Sequence, residues 1–169
     1  MPTIDVTRTY LSMAAPADLT PAATPDGHVR IERVGFCPIA FFRYLYAEVG
    51  RGYRWTDRLS WSDERVRAYL DAGDVTLYVL YVESAPAGYF ELKRHEDGST
   101  EIAYFGLMGD YIGRGLGGWL LTQAVETAWL GQPSRVWLHT CTLDHPNALP
   151  NYVRRGFRPV REEVYQVEG

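Results

Sequence analysis

The chain has only two cysteines, no long apolar run and no surplus of basic residues. Each of these shortages closes off a class of protein. Cys37 and Cys141 make neither a disulfide framework nor a four-ligand zinc site, and they fit a reducing compartment. No stretch approaches the roughly 18 apolar residues of a membrane-spanning helix. The opening "MPTIDVTRTYLSM" also lacks the apolar core of a signal peptide, so a cytoplasmic location is the expectation. A net charge of −4 and a pI of about 5.6 argue against a general binder of nucleic acid or anionic membrane. What is present is 169 residues, 46% of them apolar, enough for one domain with a proper core and too few for two.

One segment is compositionally biased: "AAPADLTPAATPDG", Ala14 to Gly27, reads as a loose loop or linker. Before it, "IDVTRTYLSM" alternates like a strand pairing on a sheet edge, and after it "HVRIERVG" does the same. The expected division is therefore an N-terminal strand and Ala/Pro-rich loop over 1–27, followed by one domain over 28–169. Ile39, Phe42, Leu45, Tyr46 and Val49 fall at helical spacing with Gly50 as a stop, and Ser62 caps a second helix that ends by Gly73. "VTLYVLYVE", "AGYFELKRH" and "TEIAYFGLM" then make an antiparallel meander, the first two joined by a hairpin at "SAPAG". Leu116, Leu120, Ala124 and Ala128 line one face of a buried helix. "RVWLHTCTL" is a strand, "PNALPNYVRRG" a short helix ended by Gly156, and "FRPVREEVYQVE" a final strand. The strand, helix, strand unit from Thr100 to Leu143 predicts a parallel pair.

Between the meander and the buried helix lies "GLMGDYIGRGLGG", with Gly113, Gly115, Gly117 and Gly118 inside six residues. A glycine-rich turn from strand to helix presents unpaired backbone N–H groups and the positive end of the helix dipole, an anion site. A nucleoside-triphosphate P-loop needs Lys and then Ser or Thr after its last glycine, and here Trp119 and Leu120 follow. Gly113, Gly115 and Gly118 match the dinucleotide pattern G-x-G-x-x-G, but no acid lies in the next strand for the ribose. Residues 119–169 are also too few for the rest of a doubly wound sheet. The dinucleotide reading stands as a distant alternative.

From Val75 to Phe157 the chain resembles the GNAT superfamily of acyl-CoA-dependent N-acyltransferases. That family's loop signature is Q/R-x-x-G-x-G/A, and the slot here reads Ile112, Gly113, Arg114, Gly115, Leu116, Gly117. Its closing motif A-x-x-x-Y-x-x-x-G-F is matched by Ala148, Tyr152, Gly156 and Phe157. Two departures stand out: Ile112 where Gln or Arg is usual, and His145 where Asn is frequent. The resemblance implies an α/β (α+β) fold: a mixed, mostly antiparallel sheet of six to seven strands flanked by helices, with a central parallel pair that splays apart. It also implies acetyl-CoA as co-substrate. Residues 112–118, Ile112 to Gly118, would hold the pyrophosphate, and the backbone of Leu107 and Met108 would pair with pantetheine. Gly106 would give room beside the thioester, and Arg154, Arg155 and Arg158 would lie near the nucleotide. The family often dimerises, so a homodimer belongs to the same set of expectations.

Such a site needs a base for the protonated amine, a donor for the developing oxyanion and an acid for the departing thiolate, and it needs no metal. Glu101 matches the base of the histone-acetyltransferase members. By alternation it shares a face with Ala103 and Phe105, an apolar setting that would raise its pKa. Glu91 and His139 are reserves, and Tyr152 matches the family's recurrent tyrosine acid. Cys141 beside His139 raises covalent catalysis, but residues two apart on a strand stand about 6–7 Å apart, too far for direct proton transfer. A non-catalytic acyl-CoA sensor on the same fold is the further alternative. The acceptor, a small-molecule or peptide amine, would meet the first two helices and their loop. Phe41, Phe42, Tyr44, Tyr46, Trp55 and Trp61 there suit an aromatic cage for a cation, an apolar slot or plain core, with Asp57, Asp63 and Glu64 nearby.

Overall fold

Glu83 and Ser84 both take positive φ (49° and 71°), the backbone of a two-residue hairpin turn. In the computed structural model, which describes all of residues 1–169, this turn joins strands β3 (Val75–Val82) and β4 (Ala85–Arg94). The hairpin is therefore tighter than the expected "SAPAG" loop. Strand β5 (Thr100–Leu107) completes the meander. Strand β2 (Val29–Arg33) pairs outside β3 at one edge of the sheet.

On the other side of β5 comes β6 (Val136–Cys141), reached through helix α3 (Gly117–Leu130) and paired with β5 in parallel. The final strand β7 (Arg158–Glu168) does not touch β6. Strand β1 (Thr3–Met13) lies between them, antiparallel to both, giving the order β2-β3-β4-β5-β6-β1-β7. The first strand of the chain is thus interior to the sheet rather than at its edge. Its buried residues Thr9, Leu11 and Met13 alternate onto one face, where Leu11 and Met13 join the α3 core, and Val6 is buried on the other.

Helices cover both faces of this mixed seven-stranded sheet. On one face α3 and α4 (Ala148–Arg155) bury Leu120, Leu121, Ala124, Val125 and Tyr152 against Leu80, Phe90, Leu92 and Ile102. On the other, α1 (Ile39–Gly50) and α2 (Asp63–Asp71) bury Phe42, Leu45, Val49 and Val66 against Leu77, Val79 and Tyr89. Tyr89 and Phe90, adjacent in β4, belong to opposite cores, as the pleat requires. Ser62 caps α2 by accepting from the Arg65 N–H at 3.2 Å, and Gly156 ends α4 in the left-handed region, φ 113°. Helix α1 ends at Gly50 as expected, but not through a left-handed glycine cap: Arg51 after it keeps helical φ and ψ, and Gly50 is bare because the Trp55 side chain packs on it. No helix is long and apolar enough to cross a membrane.

The Ala/Pro-rich segment is a strap, not a loose loop. The Thr20 N–H donates to the Arg155 carbonyl at 2.8 Å, the Ala22 N–H to Thr122 Oγ1 at 2.9 Å, and Leu19 packs on the α3 core.

Gly106 in β5 lines the gap beside β6 and is also required by close approach to α1. A β-carbon there would lie 2.5 Å from Val49 Cγ1, so the missing side chain makes room for α1. Gly106→Ala is expected to cost about 1–3 kcal/mol by overpacking. Val49→Ala in the same chain should recover part of that loss, giving a favourable coupling in a urea-unfolding double-mutant cycle. Strict additivity of the two substitutions would show that the contact is not a constraint.

Candidate active site

Strands β5 and β6 pair at only two positions, Thr100 with Val136 and Glu101 with Trp137, and then part. The gap opens into a cavity of about 1310 Å³, larger than the usual upper range of roughly 1,000 Å³ for small-molecule sites. Its walls come from β5, β6, the loop ahead of α3, α4 and the loop between α1 and α2.

The glycine loop forms one end. Gly113 (φ 82°) and Gly115 (φ 74°) sit in the left-handed region with no atom near their Cα on the side-chain side. Leu116, the residue ahead of α3, buries its side chain in the core but gives the helix no side-chain cap, and no acidic residue stands in the first turn. The Leu120 N–H closes onto the Leu116 carbonyl at 2.8 Å, which leaves the N–H groups of Gly117, Gly118 and Trp119 outside the helical ladder. Ile112, Gly113, Gly115, Leu116, Gly117 and Gly118 all line the cavity. Arg114 does not, and its guanidinium lies 5.1 Å over the Tyr111 ring. Arg154 and Arg155 reach the cavity and Arg158 does not. The Met108 N–H is taken by the Ala87 carbonyl at 2.8 Å, so it is not free for a ligand. Since successive strand amides point to opposite edges, Leu107 turns its backbone groups toward the gap.

Glu101 occupies the last paired position before the strands part. Its surroundings differ from the expected apolar ones because β5 carries a bulge: Leu92 faces Ile102 and Glu91 faces Tyr104, leaving Ala103 without a partner. The extra residue turns Glu101 to the same face as Tyr104, while Ile102 and Phe105 join the α3 core. One Glu101 oxygen lies 2.8 Å from His95 Nε2 and the other 3.9 Å from His139 Nε2. Burial pushes the His139 imidazole below the ordinary histidine range; Glu101 pulls the other way and Arg8 reinforces the shift, so the ring is neutral at pH 7.

Tyr152 enters from the opposite side of the sheet, on α4, packed edge-on against Phe105 at 6.1 Å and Phe157 at 6.3 Å. Burial, with Asp144 adding to it, pushes its phenol well above the usual range, so it keeps its proton. Glu101 and Tyr152 therefore stand on different faces and share one cavity through the gap.

Glu91 is no candidate base. It is fully buried, its two oxygens take Arg58 Nη1 at 2.7 Å and Nη2 at 2.9 Å, and the Tyr69 hydroxyl donates to it as well. Arg58 was not legible as a site residue: it lies in a loop without periodicity, and only its burial marks it. Its guanidinium sits 4.0 Å from the Tyr104 ring centre, 4.5 Å from Tyr69, 5.0 Å from Trp61 and 5.5 Å from Phe42. Part of the aromatic cage expected for a substrate cation thus holds the protein's own. Cys141 lines the cavity, with its N–H bonded to Asp144, while His139 faces Glu101.

Comparison with known proteins agrees with this geometry. A family model described as "Acetyltransferase (GNAT) family" matches residues 43–157. No curated protein matches. Among solved structures, a functionally unknown conserved protein from Staphylococcus epidermidis ATCC 12228 is similar at TM-score 0.69 and 19% identity, over 97% of this chain and 62% of that one. A GCN5-related N-acetyltransferase from Kribbella flavida is similar at TM-score 0.68 and 22% identity, over 97% and 58%. Another from Sphaerobacter thermophilus gives TM-score 0.65 and 19% identity, over 98% and 51%. At these identities the likeness is one of fold, and the chain spans 51 to 62% of the length of those proteins.

The Arg58–Glu91 pair generates an expectation of its own. Arg58→Met strands a buried carboxylate and is expected to cost about 3–5 kcal/mol, whereas Arg58→Met with Glu91→Leu should recover most of that loss. Chemical unfolding of the two variants checks this, and an equal loss in both would show that the charge balance is not what holds the loop.

Proposed function

The chain belongs to the GNAT acetyltransferase family, and on that footing we propose that it transfers an acetyl group from acetyl-CoA to a primary amine by direct attack. The family's chemistry is acyl transfer, in general from acetyl-CoA. The observation that carries the finer reading is the gap between β5 and β6, with the uncapped N-terminus of α3 at one end and Glu101 and Tyr152 on its two sides. Unpaired N–H groups and a helix dipole without a nearby acid suit a phosphate ester, so the residues present fit acetyl-CoA.

Bound acetyl-CoA supplies an activated thioester. Gly113, Gly115, Gly117 and Gly118, with the backbone of Ile112 and Leu116, would hold its phosphates, and Leu107 would pair with pantetheine along the open edge of β5. Glu101 takes the proton of the incoming amine, directly or through one water, and the neutral His139 beside it leaves the carboxylate free of a fixed positive partner on that side. A backbone N–H in the gap stabilises the charge that builds on the carbonyl oxygen. Tyr152 keeps its proton at neutral pH and gives it to the departing sulfur. The acceptor approaches from the α1–α2 face, past Trp55 and Tyr104, whose rings meet edge-on at 5.0 Å, with the carboxylate of Asp57 on the same wall. An aromatic wall with acidic neighbours suits a cationic amine, whether small molecule or peptide.

Release of CoA thiol with a panel of primary amines tests this reading. Glu101→Gln is expected to lower turnover about 10²- to 10⁴-fold while acetyl-CoA still protects the fold. At about 100 times its dissociation constant the ligand should add roughly 2.7 kcal/mol. Protection of the wild type by acetyl-CoA without thiol release on any amine would instead favour a sensor on the same fold.

A further inference from the structure

Arg155 closes α4, is 9% exposed and takes part in none of the protein's ion pairs. Its Nε is buried without a hydrogen-bond partner. Buried charges are ordinarily paired, because desolvation without a counter-charge is costly. The contrast within this molecule is direct: Arg58, equally buried, has Glu91 on both nitrogens, while Arg155 has nothing. The strap's Asp18 carboxylate forms no ion pair with it and accepts instead from its own loop at the Ala15 N–H, 3.1 Å.

The Arg155 side chain lines the cavity at the start of α3. A β-carbon on Gly118 would lie 3.1 Å from Arg155 Nη1 and 3.3 Å from the Ala22 methyl. The orphan cation and the free N–H groups of Gly117, Gly118 and Trp119 thus converge on one spot. The strap lies against it: Thr20 bonds the Arg155 carbonyl, and Ala22 bonds Thr122, which itself bonds the Gly118 carbonyl at 2.8 Å. Ile112 brings no donor to the same loop.

Resting on the acetyl-CoA reading above, we propose that Arg155 is the cation that pairs with the diphosphate of bound CoA, supplied from α4 and walled in by the N-terminal strap. The protein carries this guanidinium unpaired until the ligand brings its counter-charge. Two signatures follow that a structural arginine would not give together. Removing the charge leaves the ligand-free fold as stable or more so, and the same change weakens every ligand that carries the diphosphate.

Titration calorimetry with CoA, 3′-dephospho-CoA and pantetheine, beside thermal unfolding of the ligand-free protein, tests both. For Arg155→Met the dissociation constants of CoA and dephospho-CoA should rise by the same factor, about 10- to 100-fold for lost charge-assisted hydrogen bonds. Pantetheine, which has no diphosphate, should bind as to wild type, and the ligand-free melting temperature should not fall. Arg155→Lys, which keeps the charge and loses the planar fork, should fall between. Unchanged CoA and dephospho-CoA affinity in both variants would overturn the proposal and leave the cofactor reading standing. So would a loss confined to CoA, which would put the contact on the 3′-phosphate, or a clear drop in ligand-free stability for Arg155→Met. Wild type that binds none of the three ligands would instead overturn the acetyl-CoA reading itself.

Discussion

Backbone hydrogen bonding between β5 and β6 stops after two residue pairs, and the site is organised around that interruption. A strand in the middle of a sheet ordinarily has both edges satisfied, and unpaired backbone groups away from water are expensive. Here the open edge of β5 faces a cavity. The parting begins just after Glu101, so the candidate base stands at the fork itself. The glycine loop follows directly from the free end of β5. Helix α4, which brings Tyr152, lines the same opening, where Glu101 and Tyr152 from the two sides of the sheet share one cavity.

Rigidity around the fork has two sources of different kinds. On the α1–α2 face, the loop carrying Arg58 is tied to β4 by a fully buried ion pair wrapped in aromatic rings. On the α3–α4 face, the strap is tied to α4 by a backbone hydrogen bond and to α3 through the Thr122 hydroxyl, while β1 fills the space between β6 and β7. Both ends of the cavity are thereby formed by segments far apart in sequence. The charges differ accordingly: Arg58 is neutralised within the protein, and Arg155 is not.

Local features were the legible ones. The glycines at 113 to 118, the helical spacing of Leu116, Leu120, Ala124 and Ala128, the Ser62 cap and the turn at Gly156 all act within a few residues. Their physics therefore shows in the sequence. The motif resemblance fixed the family and the mostly antiparallel sheet with its parallel pair. What was missed depends on distant contacts. Nothing near Thr3–Met13 says that it lies between β6 and β7, and nothing in an Ala/Pro-rich run says that it packs on a helix. The bulge at Ala103 is a single extra residue, invisible to alternation, yet it decides which face Glu101 occupies. Arg58 has no local signature because its partner lies 33 positions away.

The central claim, that acetyl-CoA lies in the fork with its phosphates on the loop before α3, is tested most directly by amide hydrogen exchange with and without acetyl-CoA. The account predicts slowed exchange at Leu107 and at Gly113 to Trp119, with the Met108 amide, already bonded to Ala87, little changed. Protection confined to the α1–α2 face, or none in the glycine loop under saturating ligand, would contradict it.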